Sequence, residues 1–427
     1  MSNGALTLLA VFAICLLIDV PIAFGLLVAA ITYLLIFDAA PMMVAAQQYI
    51  AGMHSFTLLA IPLFVLAAQL MNRVGLTGRI VNLCMALVGN KPGGLAVVAV
   101  LACMMFGALS GSGVADVVAI GSMLLPAMRK EGYAPGFSAA LVGTSSSLGT
   151  VIPPSIVMIV YGTTANTSIG KLFMGGIIPG LLLALGLIVV AVYLSKRHGW
   201  AGGRTFSAAE KRKAWLESLP ALMVPVMIIG GIRFGVFTPT EAAVSAIIYS
   251  LILGFVVYRC LSLRDLWLSL RETAETSGAI LLIIAAAGLF AWGLSYEEVP
   301  QAVATLIADI TDSRTTVLLM LMAMVLVLGT FMESIAIIII ITPIVLPLLM
   351  QYNIDLVHFG VLLTVNLAIG ANTPPLGIDL MAASRIAGVN TTETLKPLSL
   401  MLLSMVAVMM LIAFVPDIVL FLPNLME

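Results

Sequence analysis

One unit occurs twice in this chain, 221 residues apart, and that unit is an interruption in an apolar stretch. Gly149-Thr150-Val151-Ile152-Pro153-Pro154 in the first half returns as Gly370-Ala371-Asn372-Thr373-Pro374-Pro375 in the second, and the same offset carries Pro126 onto Pro347. Three landmarks at one spacing are improbable by chance in a chain with 20 prolines. Each break sits in a long apolar run, where an interrupted helix leaves backbone N–H and C=O groups unpaired. Lipid cannot satisfy those groups, so such breaks survive only where they line a cavity or bind something. Matching interruptions in two halves point to a transporter's binding site.

The 427 residues are 62% hydrophobic and only 9% charged, where a soluble chain carries about a quarter charged residues. Apolar runs recur along almost the whole length, so the fold class is an all-α polytopic membrane protein. The net charge of −1 gives no nucleic-acid footprint and no polybasic tail for lipid headgroups. Cys15, Cys84, Cys103 and Cys260 show no metal spacing and read as small core residues. The first apolar stretch has no upstream positive cluster and no clear cleavage site, and is read as retained. There is no Walker A pattern and no His-Glu-x-x-His. His54, His198 and His358 lie near segment ends, so Ser110 and Ser112 lack an evident base. An intramembrane hydrolase is the alternative from another class, and the expectation is that the chain is not an enzyme.

The pattern predicts inverted repeats, each with one re-entrant hairpin and one broken helix. Residues 1–195 form the first repeat, with scaffold segments over 1–90 and a hairpin and broken helix over 93–171. Residues 196–217 form a basic loop carrying Lys196, Arg197, Arg204, Lys211, Arg212 and Lys213. Residues 218–427 form the second repeat: scaffold over 218–311, hairpin and broken helix over 315–385, last span over 398–422. Residues 5–37 read as one segment with Pro21 inside it, and 75–90 and 262–276 as interfacial helices. Lys and Arg set the orientation: with the loop 196–213 cytoplasmic, span counting places the N-terminus in the cytoplasm and the C-terminus in the periplasm. The first hairpin then enters from inside and the second from outside.

Two hairpin tips, Ser110 to Gly113 and Thr330 to Ser334, should meet the two breaks near the midplane. Carbonyls ending a half-helix carry partial negative charge and suit a desolvated Na⁺, while N–H groups starting the next suit a carboxylate. Pro153, Pro154, Pro374 and Pro375 suit helix starts. Nearby side chains are rich in oxygen, which hard cations prefer. One Na⁺ site is expected at Ser110, Gly111, Ser112, Ser145, Gly149 and Val151. Its mirror image is expected at Met332, Glu333, Asn366, Gly370, Asn372 and Thr373. The substrate is expected against Ser112, Gly113, Ser147, Pro154, Ser334, Asn372 and Pro375. For isolated small residues, close helix packing is the competing explanation; four mirrored sites favour binding. Intramembrane acids are functional candidates. Glu333 serves either as cation ligand or as helix cap, Asp116 reads better as a cap, and Asp379 stays open between the two.

Ile61-Pro62-Leu63-Phe64, Gly107-Ala108-Leu109-Ser110-Gly111-Ser112 with Ala115-Asp116, Gly149 to Pro154 with Ser155, and Asn372-Thr373-Pro374-Pro375 together resemble the large membrane subunit of tripartite ATP-independent periplasmic (TRAP) transporters. The resemblance covers essentially the full length. It implies a fold like the ion-transporter superfamily, with a mobile elevator domain carrying both hairpins against a scaffold. It implies Na⁺-coupled import of an organic acid across the bacterial inner membrane, with sialic acid slightly favoured over C4-dicarboxylates as cargo. It also implies two partners, a separate small four-helix membrane subunit and a soluble periplasmic binding protein. A stand-alone sodium/dicarboxylate carrier is the rival reading.

Overall fold

The computed structural model describes residues 2–200, 202–203 and 205–426, and every described element is helical. The Arg204 of the expected basic loop lies outside the described residues. In the first half the chain runs through α1 (Asn3–Leu17), α2 (Ile22–Phe37), α3 (Met42–Ala51), a 3₁₀ turn (Phe56–Leu59), α4 (Ala60–Arg73), α5 (Leu76–Val88), α6 (Gly94–Ser110), α7 (Gly113–Lys130), α8 (Pro135–Ser146), α9 (Leu148–Val151), α10 (Ile156–Thr164) and α11 (Ile169–His198). The second half follows with α12 (Ala208–Arg233), α13 (Pro239–Ile252) and its π-helical extension (Leu253–Val257), α14 (Leu263–Tyr296), α15 (Val299–Ile310), α16 (Arg314–Gly329), α17 (Ser334–Gln351), α18 (Leu356–Gly370), α19 (Ile378–Ala387), α20 (Thr391–Phe414) and α21 (Asp417–Asn424). Seven of these are long and apolar enough to cross a membrane, or eight with the bent pair Pro135–Val151 and Ile156–Thr164 counted as one.

The 221-residue offset extends far beyond the breaks. Shifting α7 by 221 gives residues 334–351, the bounds of α17, and shifting α10 gives 377–385, inside or beside α19. Likewise α5 falls on α15, α6 on α16, α8 on α18 and α11 on α20. Both Pro-Pro pairs have cis peptide bonds.

Contacts at the helix ends show how the halves face. At one end Arg73 pairs with Glu272 at 2.6 Å and Asp265 at 3.8 Å, Ser218 Oγ donates to Arg79 O, and Gly203 N donates to Gly89 O. Gly93, at the base of the α6–α7 hairpin, abuts Ser195 there. At the opposite end Tyr352 donates to Thr311 O, Tyr161 donates to Leu356 O, and Thr57 meets Thr163 at 3.0 Å. The α16–α17 hairpin therefore has its base at the far end from its counterpart, and the two tips point toward each other.

Four segments differ from the sequence expectation. Residues 5–37 are two helices folded back on each other, because the chain turns through Asp19 (φ 61°) into Pro21, which caps α2; Gly25 sits beside Cys15, and Gly4 beside Tyr33. Glu297, ending α14, accepts from Ser2 Oγ and Tyr33 OH. The start of the chain thus lies at the end opposite the basic loop, not beside it as span counting had it, because one assumed crossing is a hairpin. Residues 262–276 are not a separate interfacial piece: a capping box between Ser262 and Asp265 starts α14, and no Gly or Pro interrupts it before Gly278. The single helix of 34 residues spans about 50 Å at 1.5 Å per residue. The basic segment 196–217 is mostly helical, since α11 runs to His198 and a Ser207–Glu210 capping box starts α12 at Ala208. The last span starts at Thr391, behind an Asn390–Glu393 capping box, and stops before Val415-Pro416. Three of the cysteines are buried as expected; Cys260 is exposed.

Candidate functional site

Both tips and both breaks border one cavity of about 590 Å³. Its first wall holds Ser110, Gly111, Ser112, Gly113 and Thr150 from the first repeat, and Met332, Glu333, Ser334, Ala371 and Asp379 from the second. Residues of α4 and α14 line the cavity as well. Among the described residues no lysine or arginine lines it, while Glu333 and Asp379 do.

At the first tip, Ser112 is the N-cap residue of α7 but makes no side-chain cap, and Asp116 does not cap either. Asp116 is fully buried; its Oδ1 accepts from Ser110 Oγ and its Oδ2 has no hydrogen-bond partner among the described residues. The capping reading of Asp116 therefore fails: its carboxylate turns inward, between tip and break. Gly149 is the reason it fits. A Cβ at Gly149 would fall on the Asp116 carboxylate and 3.0 Å from the Gly107 Cα. Gly370 and Gly329 make the equivalent backbone approach in the second repeat, where a Cβ on Gly370 would stand 2.8 Å from the Gly329 Cα.

The structure thus brings Ser110, Gly149 and the Ser112 carbonyl onto Asp116, while Gly111 lies against Pro154 and Ile156 of the break. Ser145 lies deeper, with its buried Oγ unpartnered. Val151 does not join them: its carbonyl packs on Gly176 of α11. Pro154 presents its carbonyl to Gly111 instead, within reach of the tip. The Pro-Pro pairs lie in the breaks and do not begin the helices. Ser155 caps α10, accepting from Met158 N at 3.3 Å, and Gly377, in the left-handed region at φ 57°, precedes α19.

The second break divides its expected residues between two places. Asn366 donates to Met322 O at 2.7 Å, Asn372 donates to Ala368 O at 3.0 Å, and both leave a buried Oδ1 unpartnered. Thr373 donates to Ile369 O and points along its own helix. Met332 and Glu333 stand at the cavity. Glu333 accepts from Ile335 N at 3.0 Å and Ala336 N at 3.3 Å, so it caps α17. The tip and break still touch, through Leu376 N donating to Thr330 O at 3.3 Å. Pro375 is exposed and away from the cavity.

Asp379 ties the repeats together. It accepts from Ser147 Oγ at 2.8 Å, and Asn372 Nδ2 donates to the same Ser147. A Cβ on Gly113 would stand 2.6 Å from Asp379 Oδ2, so the glycine at the first tip admits a carboxylate from the second repeat. Asp379, Ser147 and Asn372 are all buried. Buried oxygens without donors are costly in a protein interior unless something fills them. The unpartnered set here, Asp116 Oδ2, Ser145 Oγ, Asn366 Oδ1 and Asn372 Oδ1, is the donor chemistry of a hard cation. The roles of Asp116 and Asp379 were not legible in the sequence, where each sits in a first helical turn, the usual place for a cap.

A family model for the DctM component of tripartite ATP-independent periplasmic transporters matches residues 9–418. The chain belongs to this family. It is 41% identical over 416 residues to an isethionate TRAP transporter permease, DctMQ, of Oleidesulfovibrio alaskensis, covering 96% of this chain and 65% of that one. It is 37% identical to the sialic acid TRAP large permease SiaM of Vibrio cholerae, covering 95% of both. It is 36% identical to the C4-dicarboxylate TRAP large permease DctM of Rhodobacter capsulatus, covering 99% of both. A solved structure, the YdaH transporter of Alcanivorax borkumensis, superposes with a TM-score of 0.64 at 14% identity over 87% of this chain and 89% of that one, a likeness of fold. As a DctM component the chain is a transporter permease subunit and not an enzyme, which removes the hydrolase alternative.

Proposed function

We propose that this DctM component is the translocating subunit of a sodium-coupled importer of an organic acid anion in the bacterial inner membrane. It works with a small membrane subunit and a periplasmic binding protein. The observation that carries the reading is the cavity itself: two tips and two breaks from opposed repeats around a wall with two acids and, among the described residues, no basic one. An anion entering such a space meets repulsion until cations neutralise it. Two or more Na⁺ ions supply that charge, one against Asp116, Ser110 and the carbonyls of the first break, another against the orphaned amide oxygens of Asn366 and Asn372. The anion then docks between the tips, near Ser112, Gly113 and Ser334. The block of hairpins and breaks carries it past the scaffold as an elevator. Moving a −1 cargo inward against the membrane potential costs about 2.3 kcal/mol per 100 mV, and the co-transported cations offset it. The relatives' printed cargos are sulfonates and carboxylates, so the class is an organic acid; sialic acid and C4-dicarboxylates are the first candidates to assay.

Uptake into proteoliposomes holding both membrane subunits, with and without the binding protein and a Na⁺ gradient, tests the reading. Accumulation should require both. Uptake indifferent to Na⁺ overturns the coupling, and full uptake without a binding protein favours the stand-alone carrier.

A further inference from the structure

The part of the cavity lining that α4 and α14 supply differs from the tips. Most of it is apolar, with Val65, Ala68, Ala279 and Ile280. Set into it are Gln69 and Asn72, three residues apart on one face of α4, and Thr276 on α14. None is charged. The Asn72 Oδ1 accepts from Thr77 Oγ1 at 2.9 Å, which fixes the amide so that its NH₂ remains to donate. The side chains of Gln69 and Thr276 make no hydrogen bond to another described residue. Gln69 is half-buried and Asn72 and Thr276 are exposed, so their polar groups are open to the same volume that the tips line.

We infer that Gln69, Asn72 and Thr276 form a second recognition surface, on the scaffold, which reads the uncharged oxygens of the cargo. The inference rests on the transport reading and deepens it. The tip wall, with its acids and cations, holds the anionic group. The scaffold wall offers donors to hydroxyl, keto or amide oxygens at the other end of the molecule. The substrate class is therefore an organic anion carrying at least one neutral polar group, and a plain alkyl acid of the same length is the poorer cargo. Because these residues lie on the scaffold, they engage the cargo only while the cavity stands against α4 and α14.

The test uses the full chain with its partner subunits and pairs of anions differing by one hydroxyl: isethionate against ethanesulfonate, malate against succinate, and sialic acid as a polyhydroxylated acid. Gln69→Leu and Thr276→Val each replace a polar group at nearly constant volume. Each should lower kcat/KM for the hydroxylated member by roughly 3- to 10-fold, the worth of one neutral hydrogen bond. The deoxy member should change less than about twofold, and the Na⁺ half-saturation should stay put. Equal losses for both members, or none for either, overturn the inference while leaving the transport reading intact. Absence of Na⁺-driven uptake of any of these anions by the wild-type complex overturns both. Gln69→Asn, which keeps the amide, should recover part of the lost discrimination; a variant that merely loosened the helix would not show that recovery.

Discussion

Gly149 shows how much one hydrogen atom decides at the residue scale. Its missing Cβ lets the break meet Gly107 and the Asp116 carboxylate. Gly149→Ala forces the hairpin and break apart, at a cost of about 1–3 kcal/mol by overpacking. Uptake should be lost and the thermal midpoint in detergent lowered, whereas Gly230→Ala, with nothing within 4 Å of its Cβ, should leave both unchanged. Asp116→Asn keeps the shape and removes the charge. A charge-assisted contact contributes about 1.5–3 kcal/mol, so the Na⁺ half-saturation should rise by roughly 10- to 100-fold; an unaltered Na⁺ curve would remove Asp116 from the cation site. The Ser-Gly-Ser tip and the Asn-Thr-Pro-Pro break were legible as residues that leave polar groups unpaired. The inward turn of Asp116 was not, because an acid in a first helical turn fits capping equally well until the neighbouring helix is in place.

Among the elements, Glu333 settled the other way. Its carboxylate is spent on the first N–H groups of α17. Glu333→Ala should cost about 1 kcal/mol as a lost cap, read as a lower thermal midpoint. Glu333→Gln should hold the Na⁺ half-saturation within about twofold, and a large rise there would return Glu333 to the cation. Helix existence followed from apolar periodicity, and hairpin arms and breaks fell near their expected bounds. The misjudged elements share one cause: a charged or proline-bearing stretch has two readings. Residues 262–276 are polar enough to lie at an interface, yet the Arg73 pairings with Glu272 and Asp265 and the Ser262 cap make them the first turns of α14. Pro21 within an apolar run signals either a kink or a reversal, and packing of α1 on α2 chose the reversal.

For the whole molecule, the contacts predict two outcomes. Single cysteines at Ser2 and Lys211 should be labelled by an impermeant thiol reagent from opposite faces of the membrane, since Ser2 joins Glu297 at the end away from the basic segment; labelling from one face would contradict this arrangement. Thr57 on the scaffold meets Thr163 beside the first broken helix at 3.0 Å. Cross-linked cysteines at this pair should stop uptake until reduced, if the hairpin block slides as an elevator; uptake that survives complete cross-linking would rule such sliding out. From the sequence by itself came the membrane class, the doubled interruption and the opposed sense of the two halves, because unpaired backbone in lipid and a constant 221-residue offset are local or periodic facts. Only the tertiary structure decided that Asp379 of one repeat docks on Ser147 and Gly113 of the other, that Asp116 faces the break, and which end holds the N-terminus. Those depend on which helix lies beside which, and a one-dimensional pattern fixes neighbours along the chain, not across it.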